Sequence, residues 1–306
     1  MNRVTKKRIW KGNRKDLLFY ILMMAFPVAQ FCIFYVGVNA NSILLAFQKI
    51  DLAAGTTVWT GANFANAFKL MTAGDGLLSM AWMSLLSYVI LLGIGTPLGL
   101  LFSYYIYKKM PGSNTFKVLL FFPSIISAIV MVTIFQFYVE RAIPETIRLL
   151  FNHEIKGLLE NPSTRFATLM FYNIWVGFGT GVLMYANGMS GISQEIVESA
   201  HLDGASGIKE FWYITLPLVY PTLTTFLIVG VAGIFTNQIN LYSFYGGAAP
   251  ADLQTYGYYL YSVTQKAQSR AEYPILSAMG LLLTCVAVPL TMIVKWALEK
   301  FGPKED

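Results

Sequence analysis

The chain has 306 residues, 56% of them hydrophobic and only 12% charged, against roughly 25% charged in soluble globular domains. With a mean hydropathy of +0.55 and 22 Phe, 18 Tyr and 6 Trp, this composition excludes an ordinary soluble enzyme and indicates a protein whose apolar side chains face lipid. The net charge of +6 would suit a nucleic-acid partner only if the basic residues formed one patch; they are dispersed over the loops, so no nucleic acid is expected.

A helix rising 1.5 Å per residue needs about 20 apolar residues to cross about 30 Å of hydrocarbon. Behind a basic tail over residues 1–16, the first uncharged run of that length is Leu17 to Val38. It is too long for a cleaved leader and has no small-residue exit site around Pro27, Ala29 and Gln30, so it is expected to be retained. An outer loop is predicted over 39–76, and a transmembrane core over 77–297 contains the further runs Leu77 to Tyr107, Val118 to Val139, Phe166 to Gln194, Phe211 to Ala251 and Tyr273 to Val294. A short tail over 298–306 completes the chain. Cys32 and Cys285 lie inside apolar runs and are expected to be small core residues, with no disulfide framework. Gly93, Gly95 and Gly99, and again Gly177, Gly179 and Gly181, have no strand–turn–helix context for a dinucleotide and are expected to let helices pack closely.

Of the 22 basic residues, 14 fall on one side of this six-span arrangement: seven in the leading tail, then Lys108, Lys109, Lys117, Lys209, Lys295, Lys300 and Lys304. The excess predicts both termini in the cytoplasm. His153 and His201 then lie on opposite sides of the membrane, which leaves no metal site and no Ser/His/Asp arrangement. No charged residue interrupts the six runs, which argues against an ion-coupled carrier, and no filter or charged ring suggests a channel.

The inner segment between the fourth and fifth runs is the least basic one. Gln194 to Leu202 has helix-forming composition, Asp203-Gly204 breaks it, Ser206 is placed to cap a second short helix toward Trp212, and Pro217 and Pro221 mark entry to the next span. Within it, Glu198-x-Ala200-x-x-Asp203-Gly204-Ala205, five further residues, then Phe211-x-x-Ile214-x-Leu216-Pro217 closely resembles the EAA motif of permease subunits of binding-protein-dependent ATP-binding-cassette importers; Ser199 replaces the first alanine. The resemblance implies an all-α polytopic membrane protein with six transmembrane helices in the type I importer permease fold, multi-pass in a bacterial or archaeal cell (inner) membrane. It implies that this loop is a coupling helix docking into a separate ATPase. Glu198 would pair with basic groups there, Ala200, Gly204 and Ala205 would permit close approach, and Phe211 and Leu216 would anchor the loop to its own spans. The implied partners are a second homologous permease, two ATP-binding-cassette ATPase subunits and an extracytoplasmic solute-binding protein or lipoprotein. No G-x-x-x-x-G-K-[ST] phosphate cradle occurs in the chain. No cofactor is therefore expected on it, Mg-ATP belonging to the partner ATPase, and it is expected to be a transport subunit without catalytic residues.

Ser42 to Phe68, with Phe47, Trp59, Gly61, Asn63, Phe64 and Phe68, is similar to the outer segment of carbohydrate permeases of the maltose and glycerol-phosphate group, although Ala62 stands in place of Leu. Phe235 to Pro250 is similar to the polar end of that group's fifth core span. These likenesses favour a sugar or oligosaccharide as cargo over a sugar phosphate, whose charge would need basic residues in the uncharged spans.

Polar groups in hydrocarbon face a cavity or a partner helix. Asn237, Gln238 and Asn240 are therefore candidate solute-binding residues, with 237 and 240 expected on one helix face and Tyr242 nearby. Trp175, Phe178, Tyr185, Gln136 and Tyr138 would complete a lining suited to sugar hydroxyls and CH faces. The alternative role for the amides is interhelical hydrogen bonding of order 1 kcal/mol.

Overall fold

A computed structural model describes residues 14–52, 55–72 and 76–303. Helix α1 (Arg14–Gln30) passes through a π-helical stretch, Phe31–Gly37, into α2 (Val38–Ala46). The result is one apolar rod, Lys15–Ala46, running beyond Val38. Residues 15–44 of it are exposed throughout. Cys32 is among them, and Cys285 is exposed too. Neither is therefore a core residue: in a chain made to face lipid, an apolar side chain on the outer surface carries no penalty that would drive it inward.

After α2 the chain forms a two-stranded antiparallel hairpin, β1 (Gln48–Asp51) and β2 (Thr56–Trp59), in the register Gln48↔Trp59 to Asp51↔Thr56. This is an addition to the all-helical expectation, and the run Thr56-Thr57-Val58 gives its reason, since β-branched side chains favour extended backbone. Helix α3 (Ala62–Thr72) closes the unit. Buried Asn63 donates to the carbonyls of Ala46 (2.9 Å) and Gln48 (2.7 Å), and so satisfies one backbone acceptor at the end of α2 and another at the start of β1.

Helix α4 (Gly76–Tyr107) is followed by α5 (Ser113–Ile125) and α6 (Ala128–Phe137), which meet at a 100° bend. Ile126 is extended, and Ser127 caps α6 by accepting from the Val130 amide (3.4 Å). The third apolar run is therefore a broken span. A π turn, Tyr138–Ala142, leads into α7 (Ile143–Phe151), and the long α8 (Arg165–Ser190) precedes α9 (Gln194–Leu202). Helix α10 (Ile208–Glu210), a π turn Phe211–Thr215 and α11 (Leu216–Ala232) form one rod. Pro217 and Pro221 thus lie inside a helix that has already begun, and the wider π turn lets the chain pass a residue with no amide donor and a ring that crowds the preceding turn. Short α12 (Leu241–Tyr245), α13 (Tyr256–Lys266) and α14 (Tyr273–Phe301) complete the order. Five of these helices are long and apolar enough to cross a membrane, six if the bent pair is one span.

Helices α4 and α8 form the central pair. Buried Ser103 lies within hydrogen-bond reach of the carbonyls of Gly99 (2.5 Å) and Val182 (2.8 Å), one on each helix. The glycines divide by role: a Cβ on Gly179 would overlap the Leu120 carbonyl of α5, whereas Gly93, Gly95, Gly177 and Gly181 have open space beside them. Gly179 alone of these five is a packing glycine.

The loops gather at two ends. At one, Tyr104 reaches the 203–207 turn and Tyr220 donates to the Leu298 carbonyl (3.0 Å). At the other, Ser84 meets the Tyr256 amide (3.1 Å) and Arg165 pairs with Asp252. This is the alternation that six crossings require.

Candidate functional site

The segment after α8 is built by local rules. The Ser193 hydroxyl accepts from the Glu195 amide (3.3 Å) to start α9. At the other end the Ala205 amide reaches the Ala200 carbonyl (2.9 Å) and the Gly204 amide the His201 carbonyl (3.0 Å), with Gly204 left-handed at φ +83°. That pair of bonds is a Schellman closure, which explains Asp203-Gly204-Ala205 physically: the position after the cap needs a residue without Cβ. Glu198 and Asp203 point outward, while Val197 and Ala200 are buried against the chain itself. The close approach that Ala200 permits is thus to its own fold.

The second short helix begins differently from the expectation. Gly207, at φ +57°, is its N-cap without any side-chain bond; Ser206 contributes only its carbonyl, accepting from the Lys209 amide (3.2 Å). The Gly207 carbonyl in turn accepts from the Tyr104 hydroxyl (3.0 Å) at the end of α4. Phe211 is buried with its ring 5.1 Å from that of Tyr104, and it shares a cluster with Leu100, Tyr185, Met189 and Val219, against which Leu216 packs. Ile214 and Pro217 are half-buried in the same rod. The loop therefore rests on the ends of α4 and α8.

One residue in this contact was not picked out by the motif. Glu210 is fully buried, its Oε1 2.7 Å from Lys108 Nζ and its Oε2 2.7 Å from His201 Nε2. His201 is half-exposed yet held by this carboxylate. The only signal in the sequence was an acid immediately preceding an uncharged run.

Helix α11 ends where a continuing span was expected. The Gly233 amide bonds the carbonyls of Val229 and Gly230 (both 3.1 Å), and Ile239 and Asn240 are left-handed at φ +45° and +59°. Asn237 and Asn240 consequently do not share a helix face. Their amides replace the lost helical bonds: Asn237 Oδ1 accepts from the Ile239 amide (2.8 Å), and Asn240 donates to Asn173 Oδ1 (2.8 Å). Asn173 donates to the carbonyls of Leu169 (2.8 Å) and Ile239 (3.0 Å), tying the turn to α8.

This turn, α4 and α11 enclose a cavity of about 370 Å³ lined by Ser87, Tyr88, Tyr185, Asn237 and Thr255 among others. A neighbouring cavity of about 320 Å³ shares Tyr185 and Phe226 with it and adds Phe178, Asn173, Gly177 and Gly181. Among the described residues, no Asp, Glu, Lys, Arg or His lines either. Of the predicted solute-binding residues, Asn237, Tyr185 and Phe178 come together here. Gln136 lines a separate cleft of about 690 Å³ with Glu140, Arg141, Glu160 and Arg165 at the opposite end from α9. Trp175, Tyr138, Gln238, Asn240 and Tyr242 line none of the three; Trp175 lies tilted against Phe135 and edge-on to Tyr172, and Tyr242 meets Tyr261 edge-on at 4.8 Å.

Residues 95–305 match the family described as binding-protein-dependent transport system inner membrane component. The chain belongs to this family. This inner membrane component is accordingly a multi-pass transport subunit, and the matched residues take in the loop, most of the walls of both cavities and α14. It is 23% identical over 252 residues to the multiple sugar-binding transport system permease protein MsmF of Streptococcus mutans, covering 80% of this chain and 85% of that protein. It is 24% identical over 271 residues to the arabinooligosaccharides transport system permease protein AraP of Bacillus subtilis, covering 87% and 84%. Its fold matches a crystal structure of a bacterial ABC transporter involved in the import of the acidic polysaccharide alginate, with a TM-score of 0.76 at 19% identity over 96% of this chain and 99% of that one.

Proposed function

We propose that this chain is one permease half of an ATP-driven importer that takes up a sugar or oligosaccharide handed over by an extracytoplasmic solute-binding protein, paired with a second, homologous permease. The observation that carries the reading is the α9 loop: a Schellman-closed helix presents Glu198 and Asp203 outward, while the segment that follows it is held on α4 and α8 through Gly207 and Phe211. An outward acidic helix whose following segment is anchored on two long helices suits docking into a separate ATPase, where Mg-ATP would bind. No catalytic role falls to this chain, and its work is alternation between inward- and outward-facing states. The excess of Lys and Arg at the α9 end supports a cytoplasmic position for both termini. Relatives named for multiple sugars and for arabinooligosaccharides support the cargo class, as do cavities lined by hydroxyls, amides and aromatic rings without formal charge. Asn237, Tyr185 and Phe178 are the residues nearest to such a solute.

The test is co-purification from the native membrane, followed by ATPase assay with and without binding protein and candidate oligosaccharides. The expected outcome is an ATPase and a second permease in the purified complex, with stimulated turnover that is lost in Glu198→Ala combined with Gly204→Pro. A chain that purifies alone, with uptake unaffected by those substitutions, would overturn the reading.

A further inference from the structure

We infer that Glu210 is the positioning residue through which movement of α9 reaches the cavity, by way of Lys108 on the one side and His201 on the other; the inference rests on the proposed docking of an ATPase at α9. Three separate segments meet at this carboxylate: α9 through His201, the start of the 208–232 rod through Glu210 itself, and the end of α4 through Lys108, each contact at 2.7 Å. The carboxylate is wholly buried whereas Lys108 and His201 are partly exposed. An ionised acid removed from water is tolerated only while both oxygens keep their partners, so the two contacts cannot be given up one at a time without a large penalty. The junction consequently moves as a unit.

Its surroundings reinforce that. Lys108 Nζ lies 5.8 Å from the ring centres of both Tyr104 and Tyr107, and so is held between aromatic faces at the end of α4. Tyr104 also bonds the Gly207 carbonyl and packs on Phe211. Beyond Lys108, α4 is fastened to α8 at Ser103, and the two helices supply Thr96, Gly99, Gly181 and Tyr185 to the cavity walls. A displacement applied at α9 therefore passes through a rigid junction into the helix pair that lines the cavity. Glu210 falls among the five residues that separate the two halves of the loop motif, so the motif itself assigns it no part.

The decisive experiment compares the purified complex carrying wild-type chain, Glu210→Gln, Lys108→Met and the exchanged pair Lys108→Glu with Glu210→Lys, all reconstituted in vesicles and read for solute moved per ATP hydrolysed. Glu210→Gln and Lys108→Met are each expected to lower that ratio about tenfold while the ATPase still co-purifies, and the exchanged pair to regain much of it. A purely structural role would lower yield without moving the ratio. An unchanged ratio in either single variant of an intact complex overturns the inference. If the single variants do not assemble, recovery of assembly and uptake in the exchanged pair supports it, and no recovery overturns it. A wild-type complex that contains no ATPase would instead refute the proposed function, before any variant is read.

Discussion

Gly179 of α8 faces the backbone of Leu120 of α5 so closely that a Cβ at 179 would overlap the Leu120 carbonyl. The obstacle is main chain, which cannot rotate away as a side chain does, so one of the two helices must shift. Gly179→Ala is expected to cost about 1–3 kcal/mol and to lower the thermal midpoint of the detergent-solubilised chain. Gly181→Ala, two residues along with open space beside it, is the control and should leave the midpoint unchanged. A midpoint unaffected by Gly179→Ala would mean that α5 and α8 do not pack as described.

The left-handed conformation of Gly204 makes a second prediction separable from docking. Gly204→Ala should cost about 1–2 kcal/mol, because an L-residue there brings its Cβ toward the following carbonyl. Glu198→Ala alters an exposed side chain and should leave folding within about 0.5 kcal/mol, yet weaken retention of the ATPase. The pair of measurements, thermal midpoint and ATPase recovered on co-purification, should therefore move independently for the two variants; loss of ATPase retention without any stability change in Gly204→Ala would contradict the Schellman closure.

The spans were legible in the sequence because long uncharged runs have few other readings, and the loop was legible because Asp203-Gly204-Ala205 carries its own backbone requirement. What was not legible follows from contacts between distant segments. The bend after Ile125 depends on Ser127 capping a new helix inside an apolar run, and nothing in the composition distinguishes that serine from Ser103, which binds a helix carbonyl instead. The helix face assigned to Asn237 and Asn240 failed because periodicity assumes continuing helix, whereas Asn173, 67 residues before Asn240 and not singled out at all, stabilises the left-handed turn. Glu210 was invisible for the same reason, its two partners lying in other segments. Outward-facing Cys32 and Cys285 reflect the opposite difficulty: in lipid, apolar character does not report burial.

Asn173 should therefore be indispensable to the turn. Asn173→Leu removes two donated bonds and one accepted bond, at about 0.6–1.7 kcal/mol for each interhelical contact in membrane bundles, and leaves the Asn240 amide without that partner. The expectation is a lower thermal midpoint together with reduced uptake. Asn240→Ala should show a smaller fall, since the Asn173 bond to the Ile239 carbonyl remains. Equal effects of the two variants would mean that Asn173 acts only through Asn240.

Ser87 separates solute binding from stability more cleanly than any other cavity residue. Its hydroxyl is buried, lines the 370 Å³ cavity and has no hydrogen-bond partner among the described residues, although neighbouring Ser84 is fully engaged with the Met80 carbonyl and the Tyr256 amide. An unsatisfied buried hydroxyl costs about 1–3 kcal/mol, so Ser87→Ala should leave the empty protein as stable as before or slightly more so. If the cavity receives a polyhydroxyl solute, that same hydroxyl gains a partner on loading, and the substitution should raise the concentration for half-maximal uptake severalfold. Opposite signs in the two measurements, thermal midpoint without solute and uptake with it, are what a solute-binding hydroxyl requires. A destabilised empty protein would mean that Ser87 is a structural residue, and an unchanged uptake curve would place the solute elsewhere.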